Sequence, residues 1–133
     1  MRIHHIGYLV KKIERAALAF EGLGYLRIGE TVRDEGRGAD ILFLEKDGYR
    51  IELISPYTPE SVAAGLLKTY KNAPYHICYA SQDFCADMGR LEQGGYVRMG
   101  EPQSAPAIGG RRVVFFMHAA MGMIELLEEL PPT

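Results

Sequence analysis

The chain carries one sequence pattern twice, 71 residues apart (76 − 5). The motif HIxY begins at His5 and again at His76, and a Gly-Tyr pair follows each copy at the same distance. When residues 5–30 are superposed on residues 76–101, nine of the 26 positions are identical. Unrelated segments of average composition would share about one or two. The duplication predicts two copies of one structural unit within a single chain.

Each copy also ends on an apolar run that contains a single acid, Glu52 in IELI and Glu125 in IELL. A lone histidine in a strand is usually a core residue, and a lone glutamate in such a run usually faces solvent. Here both residue types recur in both halves, and burying four ionisable groups together is costly unless a cation accompanies them. The candidate metal ligands are therefore His5, Glu52, His76 and Glu125.

The residue types of this site indicate which metal it would hold. Two imidazoles and two carboxylates suit a divalent ion of borderline softness, namely Mn, Co, Ni, Fe(II) or Zn. Calcium is disfavoured because it prefers ligand shells made only of oxygen. Gly7 and Cys78 each follow a ligand histidine by two positions, so small residues leave room for a substrate on the same strand face. His4 is expected to point to the opposite face and to be structural.

The composition describes one globular domain rather than a nucleic-acid-binding or membrane protein. The chain has 133 residues, is 47% hydrophobic and 24% charged, and has a net charge of −2. Both signs of charge are mixed along it, so no basic patch predicts binding to nucleic acid. No apolar run approaches the roughly 18 residues that cross a bilayer, and no export signal precedes the first strand. Cys78 and Cys85 are therefore expected to be reduced thiols in a cytoplasmic protein.

Hydrophobic periodicity predicts the order β-α-β-β-β in each half, which is an α+β fold. The first module is expected at about residues 1–55, a linker with a short helix at 56–74, and the second module at 75–130. The predicted elements are a strand at 2–10, a helix at 11–23, strands at 25–32, 39–45 and 49–55, a linker helix at 61–70, a strand at 75–81, a helix at 83–93, and strands at 96–100, 112–118 and 123–128. Residues 101–110 contain two prolines and a Gly-Gly pair, which predicts a long loop.

Local residue chemistry adds detail to these elements. Gly24 is placed to end the first helix in a left-handed conformation, and Lys46-Asp47-Gly48 has the chemistry of a hairpin turn. Thr58 is expected to cap the linker helix, with Pro59 in its first turn. Each module helix has an apolar stripe that is expected to face a sheet. The stripes comprise Ile13, Ala16, Ala17, Phe20 and Leu23 in the first helix, and Phe84, Met88 and Leu91 in the second.

Over essentially its whole length the chain also resembles a known family. The segments HHIGYLV, YRIELISP, PYHICYAS, GRRVVFFMH and GMIELLE are similar to those of the vicinal oxygen chelate superfamily, which includes glyoxalase I and methylmalonyl-CoA epimerase. Epimerase-like bacterial members are the nearest match. The resemblance implies tandem βαβββ modules that form a cupped mixed sheet around one metal ion. Its ligand positions fall on the same four residues that the duplication selects.

The resemblance further implies a reaction, which is proton abstraction next to a carbonyl group. The cation would stabilise the negative charge that develops, while a carboxylate removes and returns the proton. Glu125 is the first candidate for that base. The epimerase pattern has a second acid in the loop after the second strand, which aligns with Asp34 or with Glu35; a solvated turn is the alternative for both.

The substrate and the assembly are implied only by class. A CoA or glutathione thioester carries anionic groups that Arg111 or Arg112 would meet, and His118 is a further candidate for substrate contact, although solvated positions also suit these residues. The leading interpretation is a metal-dependent epimerase or isomerase, with lactoylglutathione lyase as the alternative. An Fe(II) dioxygenase normally uses two histidines and one glutamate, so Glu52 argues against it. A drug-sequestering protein of the bleomycin-resistance type would lack the metal ligands. Family members commonly form homodimers, and a homodimer is expected here.

Overall fold

A computed structural model describes residues 1–129 of the chain. Within them it contains eight β-strands, three α-helices and one short 3-10 helix. The elements are β1 (Arg2–Leu9), α1 (Ile13–Glu21), β2 (Leu26–Asp34), β3 (Ala39–Lys46), β4 (Tyr49–Pro56), α2 (Val62–Tyr70), β5 (Ala73–Ser81), α3 (Phe84–Gln93), β6 (Val97–Ala105), the 3-10 turn (Pro106–Ile108), β7 (Arg111–His118) and β8 (Gly122–Glu128). The α+β fold and the repeated β-α-β-β-β order are confirmed.

Two compact units divide the chain. One is His5–Tyr75, here called the N-terminal module, and the other joins Met1–His4 to the chain from His76 onward, here called the C-terminal module. The linker helix α2, which the sequence places between the modules, belongs to the first unit and packs near β4.

The N-terminal module has the strand order β2-β3-β4-β1, in which β1 and β4 are parallel and the other pairs are antiparallel. Helix α1 covers one face of this sheet. Its stripe residues Ile13, Ala16, Ala17 and Phe20 pack against buried residues of β3 and β4 as predicted. The predicted stripe is wrong for Leu23, which lies beyond the end of the helix and is 68% exposed. Gly24 takes the expected left-handed conformation with φ of 98°, so the turn that ends the helix is confirmed.

The C-terminal module repeats this arrangement with the strand order β5-β8-β7-β6. Strands β5 and β8 are parallel, and the remaining pairs are antiparallel. Helix α3 begins after Asp83, whose carboxylate accepts the Ala86 N–H. The predicted stripe is confirmed, because it packs against buried residues of β7 and β8. That cluster comprises Phe84, Met88, Leu91, Val114, Phe116, Ile124 and Leu126.

Several of the repeated identities have structural explanations. Arg27 pairs with Glu21 at the end of α1, and Arg98 pairs with Glu92 in the equivalent place on α3. Gly29 and Gly100 both have a positive φ, of 74° and 89°, and both lie where the pairing of an edge strand shifts register. A left-handed residue in such a bulge favours glycine. These repeated residues are therefore explained by the structure of each module and not by the candidate metal ligands.

The predicted loop at residues 101–110 is wrong in its first half. Strand β6 continues to Ala105, and only the 3-10 turn and two glycines precede β7. Proline is tolerated in β6 because this strand lies at the end of the strand order, where backbone N–H groups need not all pair. The predicted hairpin turn is confirmed by Asp47 and Gly48, with φ of 54° and 81°, which are the left-handed angles of a two-residue hairpin.

Two further expectations are settled within residues 1–129. The linker helix exists, but Ser61 caps it through the Ala63 N–H, and Thr58 instead hydrogen-bonds Glu60. Cys78 is buried in β5 and Cys85 is exposed on α3, and within the described residues the two form no disulfide, as predicted. None of the described helices is long and apolar enough to span a bilayer.

Candidate metal centre

The N-terminal module brings His5 and Glu52 together on one face of its sheet. Parallel pairing of β1 with β4 places Glu52 opposite Gly7, two residues beyond His5, so the carboxylate lies where the neighbouring strand has no side chain. The His5 Nε2 and Glu52 Oε1 atoms are 3.5 Å apart, and both side chains are fully buried. The ring of Phe43, directly opposite Glu52 on β3, meets the His5 ring edge-on at 5.2 Å. The imidazole is therefore held in place by packing.

The C-terminal module repeats this pair with His76 and Glu125. Glu125 lies opposite Cys78 in the pairing of β5 with β8, and its Oε1 is 3.3 Å from the His76 Nε2. Both side chains are again fully buried. Phe115 lies opposite Glu125 on β7 and meets the His76 ring edge-on at 5.2 Å. Each His–Glu pair is thus accompanied by an equivalent phenylalanine, Phe43 or Phe115. Neither phenylalanine was predicted from the sequence to belong to the site.

The separation within each pair suits two ligands of one ion. With metal–ligand bonds of about 2.1 Å, ligand atoms are about 3.0 Å apart at octahedral angles and about 3.4 Å apart at tetrahedral angles. The observed 3.5 Å and 3.3 Å are close to these values and lie beyond the usual length of a strong N–H···O hydrogen bond. Each pair supplies one imidazole nitrogen and one carboxylate, which is the donor chemistry of Mn, Co, Ni, Fe(II) and Zn. The residues present therefore fit such an ion.

Arg37 is a residue of this region that the sequence analysis missed. Its Nη1 lies 3.8 Å from Glu52 Oε1, and its Nε lies 3.3 Å from Asp34 Oδ2. The backbone N–H of Arg37 also donates to Asp34 Oδ1 at 3.0 Å. The guanidinium, which is only 17% exposed, thus bridges two buried carboxylates. The guanidinium therefore places a positive charge beside the Glu52 carboxylate, and carboxylates bind metal ions as the anion.

The turn that carries Arg37 is fixed by the start of the linker helix. The Ser61 hydroxyl donates to the Arg37 carbonyl at 2.7 Å, and the Tyr57 N–H donates to the Gly38 carbonyl at 3.0 Å. Gly38 has φ of 64°, and an added Cβ would come within 2.7 Å of the Thr58 methyl group. Only glycine fits this close approach. Linker and turn together therefore hold Arg37 toward Glu52.

The equivalent turn of the C-terminal module has different chemistry. Residues 105–110 read APAIGG and contain no charged residue, whereas residues 34–38 read DEGRG. In that turn Ile108 is buried, and its carbonyl accepts from Arg111 Nε at 3.3 Å. This difference between the two turns is visible in the sequence. It could have identified Arg37 as a residue that accompanies the His5–Glu52 pair and has no counterpart in the C-terminal module.

Replacing Arg37 with methionine is expected to lower the free energy of unfolding by about 3 kcal/mol, because it removes the cation between two buried carboxylates. Urea unfolding of the metal-free protein measures this change. Arg33→Met is the matched control, since Arg33 also pairs with an aspartate, Asp40, but in an exposed position on β2, four residues before Arg37. An equal effect of the two substitutions would show that the bridge to Glu52 contributes nothing special.

The two candidates for the second acid are placed very differently. Asp34 is buried at the end of β2 and is engaged by Arg37 through both carboxylate oxygens. Glu35 is exposed on the following turn. The Asp34 carboxylate therefore anchors Arg37, whereas the Glu35 side chain is open to solvent.

The residues selected for substrate contact do not share one face of the sheet. Side chains alternate along β7, and Phe115 faces the ligand pair while Phe116 packs against α3. Arg112 and His118 share the α3 side. Arg112 lies over the Phe84 ring and hydrogen-bonds Glu128, which lowers the pKa of that carboxyl. Arg111 falls on the side of Phe115. Arg112 and His118 therefore lie on the side of the sheet that packs against α3. Arg111 remains the candidate for substrate contact, because it lies on the side of His76 and Glu125.

The chain belongs to the Glyoxalase/Bleomycin resistance protein/Dioxygenase superfamily, whose sequence profile matches residues 4–115. Among characterised relatives, it is 29% identical over 119 residues to the ethylmalonyl-CoA/methylmalonyl-CoA epimerase of Cereibacter sphaeroides. That match covers 88% of this chain and 87% of the relative. The family resemblance seen in the sequence motifs is therefore confirmed.

Solved structures confirm the glyoxalase-like fold. A hypothetical protein from Bacillus halodurans superposes with a TM-score of 0.87 at 23% identity, over 99% of this chain and 96% of that one. A variant of Streptomyces coelicolor methylmalonyl-CoA epimerase in complex with 2-nitronate-propionyl-CoA superposes with a TM-score of 0.84 at 20% identity, over 98% and 99% of the two chains. At these identities the likeness establishes the fold alone.

Proposed function

We propose that this protein is a divalent-metal-dependent epimerase of a small CoA thioester, similar to methylmalonyl-CoA epimerase. The observation that carries the proposal is the repetition of one buried His–Glu pair in two equivalent places. The epimerase of Cereibacter sphaeroides, the relative aligned over 88% of the chain, supports the choice of reaction.

His5, Glu52, His76 and Glu125 would together hold one ion in this proposal. Two ligands from one module are too few to bind a divalent ion tightly, whereas four are the usual number for zinc and leave about two positions of a six-coordinate ion open. When bound, the ion would supply Lewis-acid chemistry by stabilising the negative charge that develops next to a carbonyl group. Its identity among Co, Ni, Mn, Zn and Fe is a matter for metal analysis.

The protein's own carboxylates would move the proton. Glu125 is the proposed base that removes the proton from the carbon next to the thioester carbonyl. Glu35 is the proposed second acid, which returns a proton to the other face of that carbon and so inverts it. Its solvent exposure supports this role, since a surface carboxylate exchanges protons readily with water. Arg37 would keep Glu52 ionised and oriented as a ligand, so Glu52 takes no part in proton transfer.

Solvent exchange of the substrate proton tests this function. The metal is first removed from the protein, which is then loaded with Mn, Co, Ni or Zn. The loaded protein should catalyse exchange of the proton next to the carbonyl of methylmalonyl-CoA for deuterium from D₂O, at a rate well above the uncatalysed one. Mass spectrometry of the substrate measures the incorporation. The hemithioacetal of methylglyoxal and glutathione is assayed in parallel. Turnover of that compound alone would indicate lactoylglutathione lyase, and tight drug binding without turnover of either would indicate a resistance protein.

We propose a homodimer, and the exposed side chains of Tyr49, Tyr57 and Tyr70 are available to contribute to an interface. Sedimentation at micromolar concentration should then give twice the mass of the 14.8 kDa chain. A cytoplasmic location remains a prediction from the two reduced cysteines.

A further inference from the structure

The C-terminal module exposes a group of apolar side chains on the sheet face that carries its ligand pair. Val97, Met99 and Met117 are 67%, 44% and 38% exposed, and Phe115 and Met123 are half-buried. These five residues are called the methionine face here. Exposed residues that form a contiguous apolar array usually mark a binding surface.

Strand register places these side chains on one face and beside the ligands. Met99 lies opposite Phe115, and Phe115 lies opposite Glu125, so one row runs from β6 to the ligand. Val97 lies opposite Met117, and Met117 lies opposite Met123, which forms a second row two residues away. Residues directly opposite one another, and those two positions apart on a strand, share a face. The methionine face is therefore continuous with Glu125.

The N-terminal module matches this surface at only three of the five equivalent positions, Leu26, Ile28 and Phe43. Its first row, Ile28, Phe43 and Glu52, has the same character as Met99, Phe115 and Glu125. In its second row, however, Glu45 lies opposite Arg50 where the C-terminal module has Met117 opposite Met123. The N-terminal module thus has exposed apolar side chains on its edge strand, Leu26 and Ile28, but two charged residues between them and the rest of the face. In the C-terminal module all five of these positions are apolar.

We propose that the methionine face binds the alkyl group on the carbon next to the thioester carbonyl and thereby sets which malonyl thioesters the protein accepts. This inference rests on the proposed function and adds the residues that determine substrate size. Continuity with Glu125 supports a substrate, because the carbon that loses its proton must lie near this carboxylate. Phe115 links the two, since its ring contacts His76 while its strand neighbours Met99 and Met117 extend the same face.

The side chains also suit a ligand of variable length. Methionine is unbranched and polarisable, so it adapts to alkyl groups of different shape at little cost. A methyl, ethyl or propyl substituent would bury successively more of Met117 and Met123. Each buried methylene is expected to tighten binding about fourfold.

Unreactive thioesters allow this contribution to be measured as binding, independently of turnover. Dimethylmalonyl-CoA and diethylmalonyl-CoA have no proton next to the thioester carbonyl and so cannot be epimerised. In the metal-loaded wild type we expect the diethyl compound to bind at least as tightly as the dimethyl compound in calorimetry. Met117→Gln should weaken binding of the diethyl compound about fourfold more than binding of the dimethyl compound, because a polar amide replaces apolar surface. Met99→Gln should act in the same direction.

Met121→Gln is the matched control. Met121 is 51% exposed in the turn between β7 and β8, and its sulfur accepts a hydrogen bond from the Tyr96 hydroxyl, outside the methionine face. It should leave the ratio of the two affinities unchanged. Equal metal content and melting temperature in all variants show that the fold and the ligand pairs are intact.

The outcomes separate this inference from the proposed function. If the wild type binds both compounds and Met117→Gln leaves their affinity ratio unchanged, the methionine face does not set substrate size. If Met117→Gln instead converts a dimer to a monomer without altering the ratio, the face is a contact between two copies of this chain, which also overturns the inference. If the wild type binds neither compound and exchanges no proton of methylmalonyl-CoA, the proposed function itself fails.

Discussion

Replacing Glu125 with glutamine is expected to lower kcat for proton exchange about a thousandfold, the usual contribution of a general base. Glutamine keeps the size of the side chain and an oxygen that can still face a metal ion, but it cannot accept the substrate proton. The strand register around Glu125 and the packing of Phe115 against His76 should be preserved, since no volume changes. Deuterium incorporation into methylmalonyl-CoA, at saturating metal, measures the loss.

Glu52→Gln is the matched control for this prediction. It makes the same chemical change at the equivalent glutamate of the other module, where Arg37 lies beside the carboxylate. Because Glu52 is proposed to act only as a ligand, its substitution should raise the metal concentration needed for activity and leave kcat at saturation within about tenfold of the wild type. Equal losses of kcat in the two variants would assign the base elsewhere, with Glu35 as the next candidate.

Removing the metal is expected to lower the melting temperature by roughly 12 °C. An ion present at about a thousand times its Kd stabilises the folded state by about 4 kcal/mol, and for a domain of this size each kcal/mol corresponds to about 3 °C. The physical reason is that the four proposed ligands, which are buried and include two carboxylates, would lose the cation that offsets their burial. Calorimetric scans before and after chelation, and again after adding Co, Mn, Ni or Zn, measure the shift.

A ligand variant supplies the control for the thermal experiment. His5→Ala should melt at the same temperature with and without added metal, because one of the four proposed ligands is gone. A wild type whose melting temperature does not respond to any of these ions would contradict the metal-dependent mechanism. It would instead favour a metal-free binding protein.

Most of the fold could be predicted from the sequence because the two halves of the chain can be aligned with each other. Two aligned halves show which positions recur, and the recurring glycines and ion pairs mark helix ends and bulges in both modules. The prediction failed where local composition competes with pairing along a strand. Proline and glycine in residues 100–105 suggest a loop, yet β7 pairs with this segment around a bulge. Leu23 continues the helical period but lies past the last turn, where it is 68% exposed.

The candidate site was predictable only in part, for a related reason. The two His–Glu pairs were predicted because both modules repeat them, and the structure buries each pair as expected. Phe43 and Phe115 were missed because cross-strand neighbours depend on register, which hydrophobic patterns do not specify residue by residue. Arg37 was missed because it occurs in one module only, and comparing the halves for identity overlooks residues that differ.

The differences between the modules therefore carry as much functional information as their identities. Arg37, which Asp34 anchors, lies beside Glu52 in the N-terminal module. In the C-terminal module the equivalent turn has no charged residue, and the apolar methionine face adjoins Glu125. In the proposed mechanism the first environment suits a fixed ligand, and the second suits a glutamate that works next to the substrate. Gene duplication supplies the ligands in this interpretation, and divergence of the two turns and faces assigns their roles.

Metal stoichiometry is the most direct test of whether the two pairs act as one site. Mass-spectrometric metal analysis of protein prepared without chelator and dialysed against one divalent ion should give one ion per chain. His5→Ala and His76→Ala, one substitution in each module, should each remove that ion completely. Two ions per chain in the wild type, or half of the metal retained by either variant, would show that each His–Glu pair binds alone.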